Sequence, residues 1–137
     1  MKKSVFRYIE AELYDYHETL KEIDLIREQI LEESSHAEVS GGKSTRKSDP
    51  TANKVTRLLT HRRLKRLEEV MTAIGRVYDS LPREKQRLIE LKYWDGRYSN
   101  SGVAQQLHIG EMTFYRWRRQ IIQAIARELG LLDMQGR

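Results

Sequence analysis

Between Glu111 and Gln123 the chain carries side chains suited to nucleic acid: Glu111, Met112, Thr113, Tyr115, Arg116, Arg119, Gln120 and Gln123. A guanidinium can meet guanine O6 and N7 with two parallel N–H donors, or clamp a phosphate. Amides and hydroxyls serve base edges and phosphate oxygens. To act together these groups must share one face of a rigid element. Phe114, Trp117, Ile121, Ala124 and Ile125 recur at three- and four-residue spacing, the stripe of an amphipathic helix. Indexed at about 100° per residue with that stripe inward, the helix turns Met112, Tyr115, Arg116, Arg119 and Gln123 outward and leaves Glu111, Thr113 and Gln120 on the flanks. Arg118 indexes toward the core, where it must snorkel or pair with an acid. A solvated surface helix carries the same residue types, so the segment before it decides between the readings.

That segment is Val103-Ala-Gln-Gln-Leu-His-Ile-Gly110. Val103, Ala104 and Leu107 fall on one helical face, and Ile109 continues it across a turn. Ala104 is small where a second helix must approach. His108 occupies the turn position that needs a left-handed backbone, for which His is an enriched choice after glycine. Gly110 stands at the N-cap of the following helix, and Ser99 can cap the preceding one. This is the pattern of a helix-turn-helix, whose second helix enters the major groove of DNA. Arg116 and Arg119 lie three apart on its outward face. Arg116, in the N-terminal half, is placed for base readout, and Arg119, a turn later, for a phosphate.

Composition narrows the remaining classes. The 137 residues suffice for one compact domain, or a small domain with helical extensions. There is no cysteine, hence no disulfide framework or thiolate chemistry. His17, His36, His61 and His108 never stand three or four apart, so no helical metal site is expected. No nucleophile–base spacing or convincing carboxylate pair occurs, so neither an enzyme nor a cofactor is expected. The N-terminus lacks an apolar run, which argues against a signal peptide or membrane span and for a soluble cytoplasmic protein. The net charge of +5 is uneven: −4 over residues 1–33, +5 over 34–79 and +4 over 80–137. A basic remainder behind an acidic front suits a polyanionic partner, although solvating lysines and arginines would look similar.

The helices that carry this unit read in order as follows. Residues 4–33 place Phe6, Leu13 and Leu20, and Ile9, Tyr16, Ile23 and Ile30, in an a/d heptad register breached by Arg27. An uninterrupted helix of that length spans about 45 Å. Its seam must pack on the second long helix or on another copy of itself. Residues 34–49 hold five serines and two glycines without apolar period, the composition of a linker. Gly42-Lys43-Ser44 ends like a phosphate-binding loop, but Ala37 replaces that motif's first glycine. Asp49-Pro50 opens a second long helix running to about Tyr78, with Leu64, Leu67, Val70, Met71, Ile74, Val77 and Tyr78 as its stripe. Its first half is basic: Arg57, Arg62, Arg63, Lys65 and Arg66 suit a solvated face, a DNA contact, or a hairpin against the acidic first helix. Gly75 within it allows a close crossing. A helix from Pro82 to about Tyr93, with Leu88, Ile89, Leu91 and Trp94 toward the core, leads to the Asp95-Gly96 turn. The last helix should end near Leu129, with Gly130 beyond it.

Leu81-Pro-Arg-Glu-Lys-Gln-Arg-Leu-Ile-Glu-Leu-Lys-Tyr-Trp-Asp-Gly96 followed by Val-Ala-Gln-Gln-Leu-His-Ile109 resembles region four of bacterial sigma factors, over about residues 81–128. Ala11-Glu-Leu-Tyr-Asp-Tyr-His-Glu-Thr-Leu-Lys-Glu-Ile23, Leu88-Ile-Glu-Leu-Lys-Tyr-Trp94, Tyr115-Arg-Trp-Arg118 and Ala124-Ile-Ala-Arg-Glu-Leu-Gly130 resemble the RinA/ArpU-like phage regulators across the whole chain. The first resemblance implies promoter-type DNA recognition. The second implies an activator of phage late genes. Gly110 stands where both groups usually have Ser or Thr.

The expected fold is all-α: an N-terminal long helix over 1–33, a linker over 34–49, a second long basic helix over 50–79 and a trihelical helix-turn-helix domain over 80–137. The expected function is a DNA-binding transcription regulator, an activator in a phage or prophage, working in the bacterial cytoplasm. Its expected partners are double-stranded DNA, a second copy of itself (a dimer) and host RNA polymerase, with no membrane. The alternative is a DNA-packaging protein of the small-terminase type, which also joins a helix-turn-helix to oligomerising helices.

Overall fold

The computed structural model of the protein describes residues 1–39 and 50–132. All regular structure among them is helical: α1 Lys3–Tyr14, α2 Tyr16–Val39, α3 Pro50–Ser80, α4 Arg83–Ile89, a π-helical turn Glu90–Asp95, α5 Asn100–Leu107 and α6 Glu111–Glu128. No helix among the described residues is long and apolar enough to cross a membrane. Two compact units form, one from Met1–His17 with Val70 onward, the other from Glu18–Glu69.

In the first unit α1 packs on α6 and on the π turn, while α4, α5 and α6 surround a common core. Ile9, Leu13, Ile74, Leu88, Ile89, Val103, Phe114, Ile121, Ile122 and Ile125 are almost wholly enclosed. Each such aliphatic or aromatic side chain contributes roughly 1.5–3 kcal/mol relative to exposure. The seam residues Ile9 and Leu13 are thus enclosed in a unit where α1 packs on α6 and on the π turn. Around Trp94 an aromatic cluster gathers Tyr16 (stacked, 5.2 Å), His17 (4.9 Å) and Tyr78 (5.0 Å). Gly75 faces Tyr16, but a methyl there would stand 3.8 Å from the hydroxyl, so no close crossing depends on it.

Three boundaries differ from the sequence reading. The first long helix is interrupted at Asp15, whose backbone leaves the α region at φ −90°, ψ 4°. Beyond it the a register slips by one residue: Thr19, Ile23 and Ile26 are buried, whereas Leu20 and Arg27 are exposed. The slip removes the conflict that Arg27 posed as a seam residue. Second, α2 continues to Val39, so the start of the expected linker is helical. The rest of it, with Gly42-Lys43-Ser44 and the Asp49 cap, lies outside the described residues. Third, Pro82 caps α4 from outside, and that helix ends in a π turn closed by the Gly96 N–H donating to the Leu91 carbonyl at 3.2 Å. The wider turn rotates the register. Tyr93 is buried in consequence, and Leu91 and Trp94 are only half-buried. Gly96 takes the left-handed φ of 76° that ends the turn.

In the second unit α2 and α3 lie side by side. Arg27 of α2 pairs with Glu68 of α3, and Arg63 of α3 donates to Glu22 of α2, its Nε at 3.1 Å. The basic helix thus does lie against the acidic one.

Candidate nucleic-acid interface

Ser99 fixes the start of α5: its Oγ accepts from the Gly102 N–H at 3.0 Å. His108 ends the helix in the left-handed region at φ 57°, ψ 43°, and it is the one non-glycine residue with positive φ among those described. The Ile109 N–H then donates back to the Ala104 carbonyl at 3.0 Å, the six-to-one closure of a Schellman turn. Gly110 is extended, at φ −74° and ψ 161°, and α6 begins at Glu111. Val103 and Ala104 are buried where α5 packs on α6. The same closure recurs at the far end of α6, where Gly130 has φ 70° and the Leu131 N–H donates to the Ala126 carbonyl at 2.8 Å.

α6 buries a wider arc than one stripe. Ile122 and Ala126 are fully enclosed beside Phe114, Ile121 and Ile125, while Ala124 and Trp117 are only half-buried. The helix is covered from two sides, by α5 and by α1. Arg118 belongs to the α1 side. Its Nη1 lies 3.9 Å from Glu10 Oε2, and its guanidinium stands 5.0 Å from the ring of Phe6 and 5.2 Å from that of Tyr115. Glu10 also accepts from the Tyr93 hydroxyl at 2.6 Å. Burial, reinforced by that bond, pushes the Tyr93 phenol far up, so it remains a donor. This Glu10–Tyr93–Arg118 cluster ties α1 and the π turn to α6. The sequence carries no local signal for Glu10 or Tyr93 in it, and only the helical index points to Arg118.

What remains outward on α6 is an arc of Met112, Arg116, Arg119 and Gln120, all exposed, with Glu111 at its N-terminal edge. Met112 is 80% exposed at the leading end. Arg116 and Arg119 make no hydrogen bond or ion pair with any described residue, so both guanidinium groups are available to a ligand. Thr113 and Gln123 are half-buried at the margins. Gln120 accepts from Lys85 of α4 at 3.0 Å, which brings a second cation to that flank. Tyr115 is 38% exposed at the edge of the arc, its ring edge-on to Phe114 and facing Arg118. Arg127, absent from the sequence-based set, is exposed along the line of Arg116, Gln120 and Gln123.

The family described as "Protein of unknown function (DUF722)" matches residues 5–127. The chain belongs to this family. The DUF722 match begins in α1 and ends in α6, so it takes in the Glu10–Arg118 contact as well as the helix-turn-helix. The chain is similar to "Transcriptional activator rinA" of Staphylococcus phage phi11, at 28% identity over 132 residues, covering 95% of this chain and 94% of that protein. No solved structure matches the chain.

Proposed function

We propose that this DUF722 protein is a DNA-binding transcription activator of phage or prophage genes, acting in the bacterial cytoplasm and inserting α6 into the major groove. The observation that carries the reading is the outward arc of α6, where Arg116 and Arg119 stand unpaired among the described residues behind a Ser99-capped α5 and a left-handed His108 turn. The likeness to an activator along nearly the whole of both chains supports activation as the direction of control. Late genes are the targets and host RNA polymerase is the second partner in this reading. Arg116 reads a base, Arg119 holds a phosphate, Met112 meets a thymine methyl group, and Glu111, Thr113, Tyr115, Gln120 and Gln123 line the contact. Two copies act together, presenting two α6 helices to half-sites about one helical turn apart.

Footprinting of the full chain on the DNA surrounding its own gene, with affinity followed across a salt series, tests this reading. Affinity should fall steeply with salt, because neutralised phosphates release counterions. Absence of binding at low salt refutes it. A ring of roughly eight or more subunits by mass would instead favour DNA packaging.

A further inference from the structure

Among the described residues of Glu18–Glu69, more aliphatic side chains are exposed than buried. Ile23 and Ile26 are buried, while Leu25 (63% exposed), Leu31 (69%), Val55 (52%), Leu58 (62%) and Leu59 (56%) face outward. On α3, Val55, Leu58 and Leu59 stand at i, i+3 and i+4, and Arg62 and Arg66 extend the same face at i+7 and i+11. By helical index this face lies roughly 150° from the Leu64–Leu67 side, where Arg63 and Glu68 reach α2. On α2 the outer face carries one aliphatic side chain, Leu25, and mostly acidic neighbours, with Lys21 paired to Glu18. Leu25 is followed by Glu28 and Glu32 at i+3 and i+7, again roughly 150° from the Ile23–Ile26 side. None of Glu28, Glu32, Arg62 and Arg66 pairs with a described residue. Residues 18–34 carry a net charge of −4 and residues 53–69 a net of +4.

We infer that this unit associates with a second copy of the chain, the outer face of α2 in one copy lying on the outer face of α3 in the other. The α3 face offers Val55, Leu58 and Leu59 beside Arg62 and Arg66, and the α2 face offers Leu25 beside Glu28 and Glu32, so the prevailing charges of the two faces are opposite. Pairing α3 with α3 would set arginines against arginines. Laying α3 on DNA would neutralise the arginines but leave Val55, Leu58 and Leu59 in water. An α2–α3 contact between copies covers the aliphatic groups and matches the charges at once. The inference deepens the two-copy reading above and names the surface it uses. It does not depend on which DNA is bound.

The test is the mass and reassociation of the full chain. Wild-type protein should run at twice the 16.2 kDa chain mass or more, and its melting temperature should rise with protein concentration. Glu28→Lys with Glu32→Lys, and separately Arg62→Glu with Arg66→Glu, should each weaken self-association roughly a hundredfold, because like charges then face each other. All four replacements are good helix formers, and circular dichroism should report unchanged helix. Mixing the two variants restores the complement on both faces, so a one-to-one hetero-assembly should form. Leu58→Ser with Leu59→Ser, which leaves every charge in place, should dissociate the protein without rescue by either charge variant. A wild-type monomer at tens of micromolar with a concentration-independent melting temperature overturns the inference. So does weakening by only one of the two reversals, or failure of the mixture to reassociate. DNA binding measured on the same samples keeps the outcomes apart: a monomer that still binds its site removes this interface but not the α6 reading.

Discussion

Leu13 and Leu20 hold the same place in the heptad pattern, one on each side of Asp15. Leu13 is wholly enclosed and Leu20 is 36% exposed. The contrast runs through the two units to which they belong. In the unit of Met1–His17 and Val70 onward, three of the exposed large apolar side chains are tyrosines, Tyr8, Tyr14 and Tyr115, whose hydroxyl suits a wet boundary. In Glu18–Glu69 they are leucines and a valine. The first unit closes a core around the helix that carries the candidate site. The second holds its helices together with Ile23, Ile26 and exposed ion pairs, and keeps a stock of aliphatic groups outside. A continuous heptad therefore does not imply one continuous use of a helix: α1 serves as a wall of the unit that carries the candidate site, and α2 serves the other unit.

The largest expected effect tests that division directly. Leu13→Ala should destabilise the protein by about 2–5 kcal/mol, since it leaves a cavity in the core of the first unit. Leu20→Ala should stay within about 0.5 kcal/mol in the monomer. Urea unfolding followed by circular dichroism measures both. Equal losses would mean that the register does not slip at Asp15.

A second pair of substitutions sharpens the same contrast in polar groups. Glu10→Ala strands the Tyr93 hydroxyl and the Arg118 guanidinium together, and should cost about 1.5–3 kcal/mol. Glu22→Ala removes an exposed partner of Arg63 in the other unit, and should cost at most about 1 kcal/mol. Because Arg118 lies on α6, Glu10→Ala should also weaken DNA binding without touching DNA. Tyr93→Phe should reproduce part of the stability loss. An unaltered melting curve for Glu10→Ala would show that the cluster does not hold α1 to α6.

How much of this was legible follows from whether a residue's role is local. The His108 turn, the Ser99 cap, the Asp95-Gly96 turn and the Gly130 stop are backbone matters decided within a few residues, and the sequence marks them. The helical index was also enough to turn Arg116 and Arg119 outward and Arg118 inward. The burial of Ile122 and Ala126 was not legible, because it depends on α1 returning to cover α6 from about a hundred residues away. The π turn hid the role of Tyr93 for a related reason: an α-helical index assigns Leu91 and Trp94 to the core. Tyr115, turned outward by the same index, is 38% exposed, but its ring meets Phe114 and Arg118, which no local pattern marks. For Thr19 and Leu20, polarity suggested one order and packing beyond Asp15 imposed the other.

On the outward arc the expected effects are of similar size but differ in kind. Arg116→Ala should relax preference at one base position by about 1–3 kcal/mol. Arg119→Ala should weaken binding to all sequences alike and reduce the salt slope by about one. A site and its single-base variants, titrated at several salt concentrations, separate the two signatures. Wild-type binding by both variants would mean that this arc does not enter the groove.

Acid should act on the first unit through Glu90. Burial alone would raise its carboxyl, but hydrogen bonds from Arg83 (2.7 Å) and from Tyr78 prevail and hold it below its ordinary value. A carboxylate with a depressed folded-state pKa stabilises the fold at neutral pH, and that contribution fades as the pH falls through the ordinary glutamate range and then through the folded-state value. Arg83 is exposed, so the effect should be small. Glu90→Gln should flatten this part of the stability–pH curve, measured by urea midpoints between neutral and mildly acidic pH. An unchanged slope would show that the Arg83–Glu90 pair contributes nothing in solution.

The smallest effect concerns the two caps of the helix-turn-helix. Ser99 satisfies an N–H of α5 through its hydroxyl, whereas Gly110 offers α6 no side chain at the equivalent place. The Gly110 backbone is already extended at φ −74°, and a Cβ there would meet nothing within 4 Å. Gly110→Ser therefore needs no strained conformation, and its hydroxyl can accept from the Met112 or Thr113 N–H as Ser99 does from Gly102. Ser exceeds Gly at an N-cap by only a few tenths of a kcal/mol, to which reduced freedom of the unfolded chain adds a comparable amount. The expected result is a slightly higher urea midpoint at unchanged slope. The same hydroxyl stands at the leading end of the helix assigned to the groove, next to Met112. If α6 enters DNA end-first, Gly110→Ser should also tighten binding to all sequences alike, by one added phosphate donor. A gain in stability without a gain in affinity would place the N-terminus of α6 away from the backbone and leave recognition to the Arg116–Arg119 face.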